Sequence, residues 1–206
     1  MAVQARARDT RERVRQARQE AYRGLILEAA ERVFGEKGYG PAKVAEIAEA
    51  AGVATGTVYA IFPGKQDLYR AVHAERLAEL ARRYEAVPIS ESVRETILAR
   101  SEASTRFLAA HPAYLRMYLR EAAGWGFGSE LPDPARAFVD VALYERGIAA
   151  GELVDEDPAL LTSLQQASSQ VHFTHWLETG MRETPDQLVA RIAATARRTL
   201  FNPPPA

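Results

Sequence analysis

Residues 44–62 read VAEIAEAAGVATGTVYAIF. Val44, Ile47, Ala48 and Ala51 recur at i, i+3, i+4 and i+7, the spacing of one helix face, and Gly52 stops that helix. A second, very short helix fits between Thr55 and Ile61, because Pro63–Gly64 breaks the chain behind it. Two short helices that cross steeply need a small residue at the crossing, a glycine to turn the chain, and apolar residues on the facing sides. Ala48, Gly52 and the set Ile47, Ala51, Val53, Val58 and Ile61 meet these needs. Val58, Ile61 and Phe62 then face inward, leaving Thr55, Gly56, Thr57, Tyr59 and Ala60 outward. Any α-hairpin in a bundle shares part of this pattern, but the combined spacing points to a helix–turn–helix that reads DNA. Residues 52–62 nevertheless hold no charged side chain, an odd composition for gripping a polyanion.

Helical spacing continues on both sides. Upstream, Tyr22, Ile26, Ala29, Ala30, Val33 and the stem of Lys37 share a face of a helix that stops at Gly38. Downstream, Lys65 opens a long fourth helix (Leu68, Val72, Leu77, Leu80, Tyr84) that runs toward Pro88. Ser92 with Glu95 resembles a capping box, starting a helix that reaches His111–Pro112. The next spans Ala113 to Ala123 and ends at GWGFG, residues 124–128. Pro132 and Pro134 open a seventh segment that stops at Gly151. Asp157–Pro158 caps an eighth running to Gly180, and Thr184, Pro185 and Gln187 cap a last one ending before Asn202. No stretch alternates like a strand. The expected fold is all-α: an N-terminal three-helix helix–turn–helix domain (residues 19–64) and a C-terminal helical bundle (65–206), about nine helices in all. Residues 1–18 form a flexible Arg-rich arm, and the fourth helix belongs to both halves.

Composition narrows the function. The chain has 206 residues, no cysteine and a net charge of −1. Disulfides, thiolate metal sites and cysteine nucleophiles are therefore excluded. The N-terminal residues lack the apolar core of a signal peptide, and no apolar run approaches the ~18 residues of a membrane span, so a cytoplasmic protein is expected. The charge is unevenly placed. Residues 1–18 carry six arginines against two acids, a net of +4, and residues 1–70 a net of +3, whereas the remainder is at −4. The positive end is local, which fits a DNA-binding head and equally a solvated, disordered tail.

At this point IAEAAGVATGTVYAIFPGKQDLY, with the preceding helix and Gly38-Tyr39-Gly40, resembles the N-terminal domain of the TetR family of transcriptional regulators. The marks are the AAGV turn, Gly56-Thr57, Tyr59, Phe62, Lys65 and Leu68, and the match covers residues 20–70. The resemblance implies a homodimer with a DNA-binding head and a ligand-binding body, most such proteins being repressors released by a small molecule. Ala42, Lys43 and Ala54 depart from the family's usual hydroxyl residues. Caps on the second and third helices should weaken by ~1 kcal/mol each, with Thr55 taking over the cap of the reading helix.

The uncharged helix then makes physical sense. Phosphate contacts supply affinity while base contacts supply selectivity, so the reading helix can be neutral if cations surround it. Gly56 lets the backbone come close, and helix N-terminal amides favour anions. Lys43, Tyr59 and Lys65 are the expected phosphate contacts, the last two matching family positions. Arg15 and Arg18 are expected arm contacts, and Thr55, Thr57 and Ala60 expected base-edge contacts.

The body carries aromatic clusters, among them Trp125, Phe127, Phe138 and Tyr144. Phe107, Tyr114, Tyr118, Phe173 and Trp176 are the candidates for a ligand cavity taking an apolar or aromatic effector; the competing reading of each is ordinary core. GWGFG is not a phosphate loop, since no strand precedes it and no lysine follows; it reads as a flexible helix end that could gate the cavity. His172, His175 and Glu178 share a helix face, but no further ligand is announced, and neither a metal nor a cofactor is expected. By the resemblance, two stripes form a four-helix dimer interface: Leu161, Leu164, Ser168, Val171 and His175, and Leu188, Ile192 and Ala196. The resulting expectation is a homodimeric, ligand-responsive regulator on a palindromic double-stranded operator. A ligand-independent DNA-binding protein and a helical enzyme using the aromatic cavity are the alternatives. No Ser/His/Asp arrangement, carboxylate pair or cofactor motif supports the enzyme.

Overall fold

A computed structural model describes residues 2–123 and 140–203, with side chains at 12–120 and 140–203. Nine helices are present among them: α1 Ala2–Lys37, α2 Val44–Ala50, α3 Thr55–Ile61, α4 Lys65–Glu85, α5 Val93–Ala110, α6 Pro112–Ala123, α7 Val141–Ala149, α8 Pro158–Glu178 and α9 Pro185–Thr199. No strand occurs among the described residues; one isolated bridge joins Leu153 and Phe201. The chain is therefore all-α. It divides into a unit of residues 1–75 and a unit of residues 76–206, so α4 contributes residues to both. The GWGFG segment, the starts at Pro132 and Pro134, and Trp125, Phe127 and Phe138 lie outside the described residues. No helix end marks the expected arm boundary at residue 18, because α1 starts at Ala2. The sequence explains this: no glycine or proline precedes Gly24, and Ala, Arg, Gln and Glu are strong helix formers.

In the first unit, Ile26, Ala29, Ala30, Val33 and Phe34 of α1 are buried, as are Ile47 and Ala48 of α2, Val58 of α3, and Leu68 and Val72 of α4, and α1, α2 and α3 pack against one another. Full burial of each large aliphatic side chain contributes ~1.5–3 kcal/mol. Gly52 has φ +67°, a left-handed conformation open to glycine at little cost. It lets Val53 N–H donate back to the Ala48 carbonyl at 3.0 Å and redirects the chain into α3.

The second unit packs α5 against α9, α7 against α8, and α8 against α9. Its core includes Val93, Ile97, Leu143, Tyr144, Leu153 and Leu161. Thr184 caps α9 as the sequence predicts, its hydroxyl accepting from Gln187 N–H while the Gln187 side chain accepts from Thr184 N–H. Asp157 likewise caps α8 through Leu160 N–H at 2.9 Å. The expected box at α5 is only half formed. Ser92 accepts from Glu95 N–H, but Glu95 turns its carboxylate to the Ser90 hydroxyl at 2.7 Å. Glu152, sixty residues away, takes its place. Its carboxylate accepts from the Ser92 hydroxyl at 2.7 Å, Val93 N–H at 2.9 Å and Arg94 N–H at 3.0 Å. Burial alone would raise the pKa of this carboxyl; the three hydrogen bonds, with the charge of Arg94, outweigh it and leave the pKa below its ordinary value.

Candidate nucleic-acid interface and ligand cavity

The axes of α2 and α3 meet at 104°. Val58 and Phe62 are buried at the inner side of α3, with Ile61 half-buried, while Thr55, Gly56, Tyr59 and Ala60 are exposed and Thr57 is half-exposed. The outward set is thus the one the spacing predicts, and Tyr59 is 52% exposed with no core role. Ala54, not Thr55, occupies the N-cap of α3 and supplies no side-chain cap. Thr55 is already in the helix, so its hydroxyl faces solvent rather than the first turn; the expectation that it replaces the missing cap is corrected. At α2 the N-cap is Lys43, again without a side-chain cap. Here Glu46 compensates, accepting from Lys43 N–H at 3.2 Å while paired with Lys37 Nζ at 3.0 Å. The Lys37 hydrogen bond leads the causes that hold the Glu46 pKa below its ordinary value. The Lys37 head group is therefore engaged across α1 and α2, and the Lys43 side chain remains exposed.

Lys65 has partners within its own chain. Its ammonium donates to three main-chain carbonyls, those of Tyr39 at 2.8 Å, Gly40 at 3.0 Å and Ala42 at 3.1 Å. It also lies 4.5 Å from the centre of the Tyr39 ring. An ammonium has three protons, and all three are engaged. Lys65 clamps the turn that precedes α2. Of the two arm residues, Arg15 is exposed, and Arg18 donates to the Tyr22 hydroxyl at 2.9 Å.

The second unit contains a cavity of about 120 Å³. Leu80 and Tyr84 of α4 and Ile97, Arg100, Thr105 and Leu108 of α5 form one side; Thr162, Gln165, Ser169, Gln170 and Phe173 of α8 form another. Tyr118 and Tyr144 complete the ring of aromatics. Of the expected ligand residues, Tyr118 and Phe173 line this space. Phe107, Tyr114 and Trp176 do not: they are core residues at 0%, 0% and 4% exposure. Phe107 is covered by Arg83 and His111, and the Trp176 indole donates to the Glu183 carbonyl at 2.9 Å. The lining residues missed from the sequence are mostly polar. Their signal was polar side chains at core-facing spacing, such as Ser101, Ser104 and Thr105 on α5 and Thr162, Gln165 and Ser169 on α8.

Arg100 anchors one end of the cavity. Its Nη1 lies 2.8 Å from Asp140 Oδ2, and its guanidinium stacks 4.5 Å from the Tyr84 ring centre. Burial acts to lower the pKa of Arg100, but the Asp140 and Tyr84 contacts prevail and raise it. Burial pushes the Tyr144 hydroxyl well up, so it keeps its proton. His172 is not disposed as a ligand. Its Nε2 is 2.9 Å from the Thr195 hydroxyl, and desolvation, with the charge of Arg191, lowers its pKa. Among the described residues, no group of three or more His, Asp or Glu side chains could hold a metal.

The expected dimer residues separate by exposure. Leu164, Val171 and His175 are exposed and Ser168 is half-exposed, whereas Leu161, Leu188, Ile192 and Ala196 are buried in their own chain at 0–2% exposure. The latter four are core, a correction that follows from helix geometry. α8 carries two apolar rows, one inward through Leu161 and Phe173 and one outward through Leu160, Leu164 and Val171, whereas the row on α9 is needed for its own core.

A steeply crossed helix pair with an exposed second helix, ahead in the chain of a helical unit that contains a cavity, is a helix–turn–helix arrangement. Residues 26–72 match the family model for bacterial regulatory proteins, tetR family. The fatty acid metabolism regulator protein of Bacillus subtilis (strain 168) is 34% identical over 77 residues, 37% of each chain. The match thus spans little more than a third of that relative. The fold extends further. The ketosteroid transcriptional regulator KstR2 of Mycobacterium tuberculosis superposes with a TM-score of 0.72 at 23% identity, over 88% of this chain and 95% of the other. FadR from Bacillus subtilis in complex with stearoyl-CoA gives 0.67 at 20%, over 82% and 95%.

Proposed function

We propose that the protein is a homodimeric transcriptional regulator, a repressor that binds a palindromic operator and is released when a small molecule occupies the second unit. The observation that carries this reading is α3: a helix seated by Val58 and Phe62 that leaves Thr55, Thr57, Tyr59 and Ala60 outward. In this reading Thr55, Thr57 and Ala60 meet base edges, with Gly56 allowing close approach. Tyr59, Lys43, Arg15 and Arg18 meet phosphates, and Lys65 positions the turn behind them. The outward row of α8 (Leu164, Ser168, Val171 and His175) pairs with its copy. A two-fold dimer then presents two reading helices to half-sites ~34–36 Å apart, one turn of DNA. The cavity supports a ligand-responsive regulator over a ligand-independent one, and the family supports a regulator over an enzyme. Such work places the protein in the cytoplasm.

The test is a gel shift on the DNA upstream of its own gene. Wild type should bind, and Tyr59→Ala should bind more weakly. The slope of log affinity against log salt should fall by ~0.9 for each phosphate that the variant no longer engages. Unchanged affinity and salt slope would defeat the placement of the interface on α3.

A further inference from the structure

The charge balance around the cavity identifies the class of its occupant, given the effector reading above. Among the described residues, Arg100 is the single charged side chain in the lining, and Asp140 neutralises it at 2.8 Å. An ionised ligand would enter without a counter-charge, where desolvation is strongly unfavourable. The uncharged wall is not apolar either. Thr105 donates its hydroxyl proton to the Ser101 carbonyl at 2.7 Å, Thr162 to Ala159 at 2.8 Å and Ser169 to Gln165 at 2.9 Å. With those protons engaged, the three oxygens offer lone pairs to an occupant. A purely apolar occupant would exclude water from them and return no hydrogen bond. Tyr84, Tyr118, Tyr144 and Phe173 meanwhile suit a flat ring. The volume, about 120 Å³, is close to the ~150 Å³ of a cavity that accepts benzene and below the ~300 Å³ at which larger ligand sites begin.

We propose that the cavity takes a compact, uncharged ring compound bearing hydroxyl or amide donors, and discriminates against carboxylates and against bare hydrocarbons. Isothermal titration of the full chain at neutral pH with catechol, toluene, benzoate and decanoate tests this. Catechol should bind at least tenfold more tightly than each of the other three. Equal or tighter binding of toluene, benzoate or decanoate overturns the proposal, as does the absence of catechol binding. Asp140→Asn supplies the second arm. Asparagine keeps the N-cap of α7 but leaves the Arg100 charge uncompensated, so the affinity ratio of benzoate to catechol should rise tenfold or more. An unchanged ratio in a variant with wild-type circular dichroism overturns the charge argument. Release from operator DNA, measured in parallel, separates the two levels. Benzoate that binds and releases DNA sinks this inference and leaves the regulator standing; catechol that binds without altering DNA affinity does the reverse.

Discussion

Lys65 and Tyr59 stand six residues apart, one opening α4 and the other on α3, and their surroundings give them different work. The Lys65 ammonium ties together the carbonyls of Tyr39, Gly40 and Ala42, whereas the Tyr59 ring projects into solvent. Removing Lys65 leaves three carbonyls without their charged donor. Lys65→Ala should therefore lower stability by ~1–3 kcal/mol as well as weaken DNA binding. Tyr59→Ala should change stability by no more than ~0.5 kcal/mol. Denaturant unfolding of the two variants beside their gel shifts checks the pair. Equal stability in both would return Lys65 to the role of a plain phosphate contact. That distinction was not legible in the sequence, because the carbonyls that engage Lys65 lie more than twenty residues upstream. Tyr59 was legible, because its exposure follows from its place beside Val58 in a single turn.

Among the elements, α5 shows the reach and the limit of local signals. Ser92 marks its start, as Asp157 and Thr184 mark α8 and α9, since a cap and its target amide lie within three residues. Glu152 escapes such reading because only the folded chain brings it to the α5 N-terminus. Its pKa is lowered on folding, so its contribution to stability is complete above the ordinary carboxylate pKa of ~4.3. It is lost as pH falls through the lower folded value. Glu152→Gln should cost ~1–2 kcal/mol at pH 7 and flatten the acid limb of the stability profile below about pH 5. Chemical denaturation between pH 3 and 7 reads both effects; an unaltered limb would show that other carboxylates govern it. The cavity escaped for a similar reason. Tyr118 and Phe173 could be guessed as aromatics, but the sorting of Phe107, Tyr114 and Trp176 into core depends on how α5, α6 and α8 meet.

For the molecule as a whole, the outward row of α8 is the surface on which the proposed dimer depends. Val171 is 68% exposed and Leu164 46%, so a charge placed there should leave the fold intact. Val171→Glu should shift the protein toward monomer in analytical ultracentrifugation and reduce operator affinity at least tenfold. A dimer that persists with full affinity would move the interface elsewhere. By linkage, any ligand that releases the operator must itself bind more weakly, by the same factor, to the DNA-bound protein. One consequence follows from the two faces of α8. Thr162, Ser169 and Phe173 touch the cavity, and Leu164 and Val171 lie on the opposite side of the same cylinder, ~10–12 Å across. A rotation that accommodates a guest on one side must carry the other side with it. Two subunits joined back to back along that helix would then fill their cavities interdependently, and the dose–response for release would be steeper or shallower than a simple hyperbola.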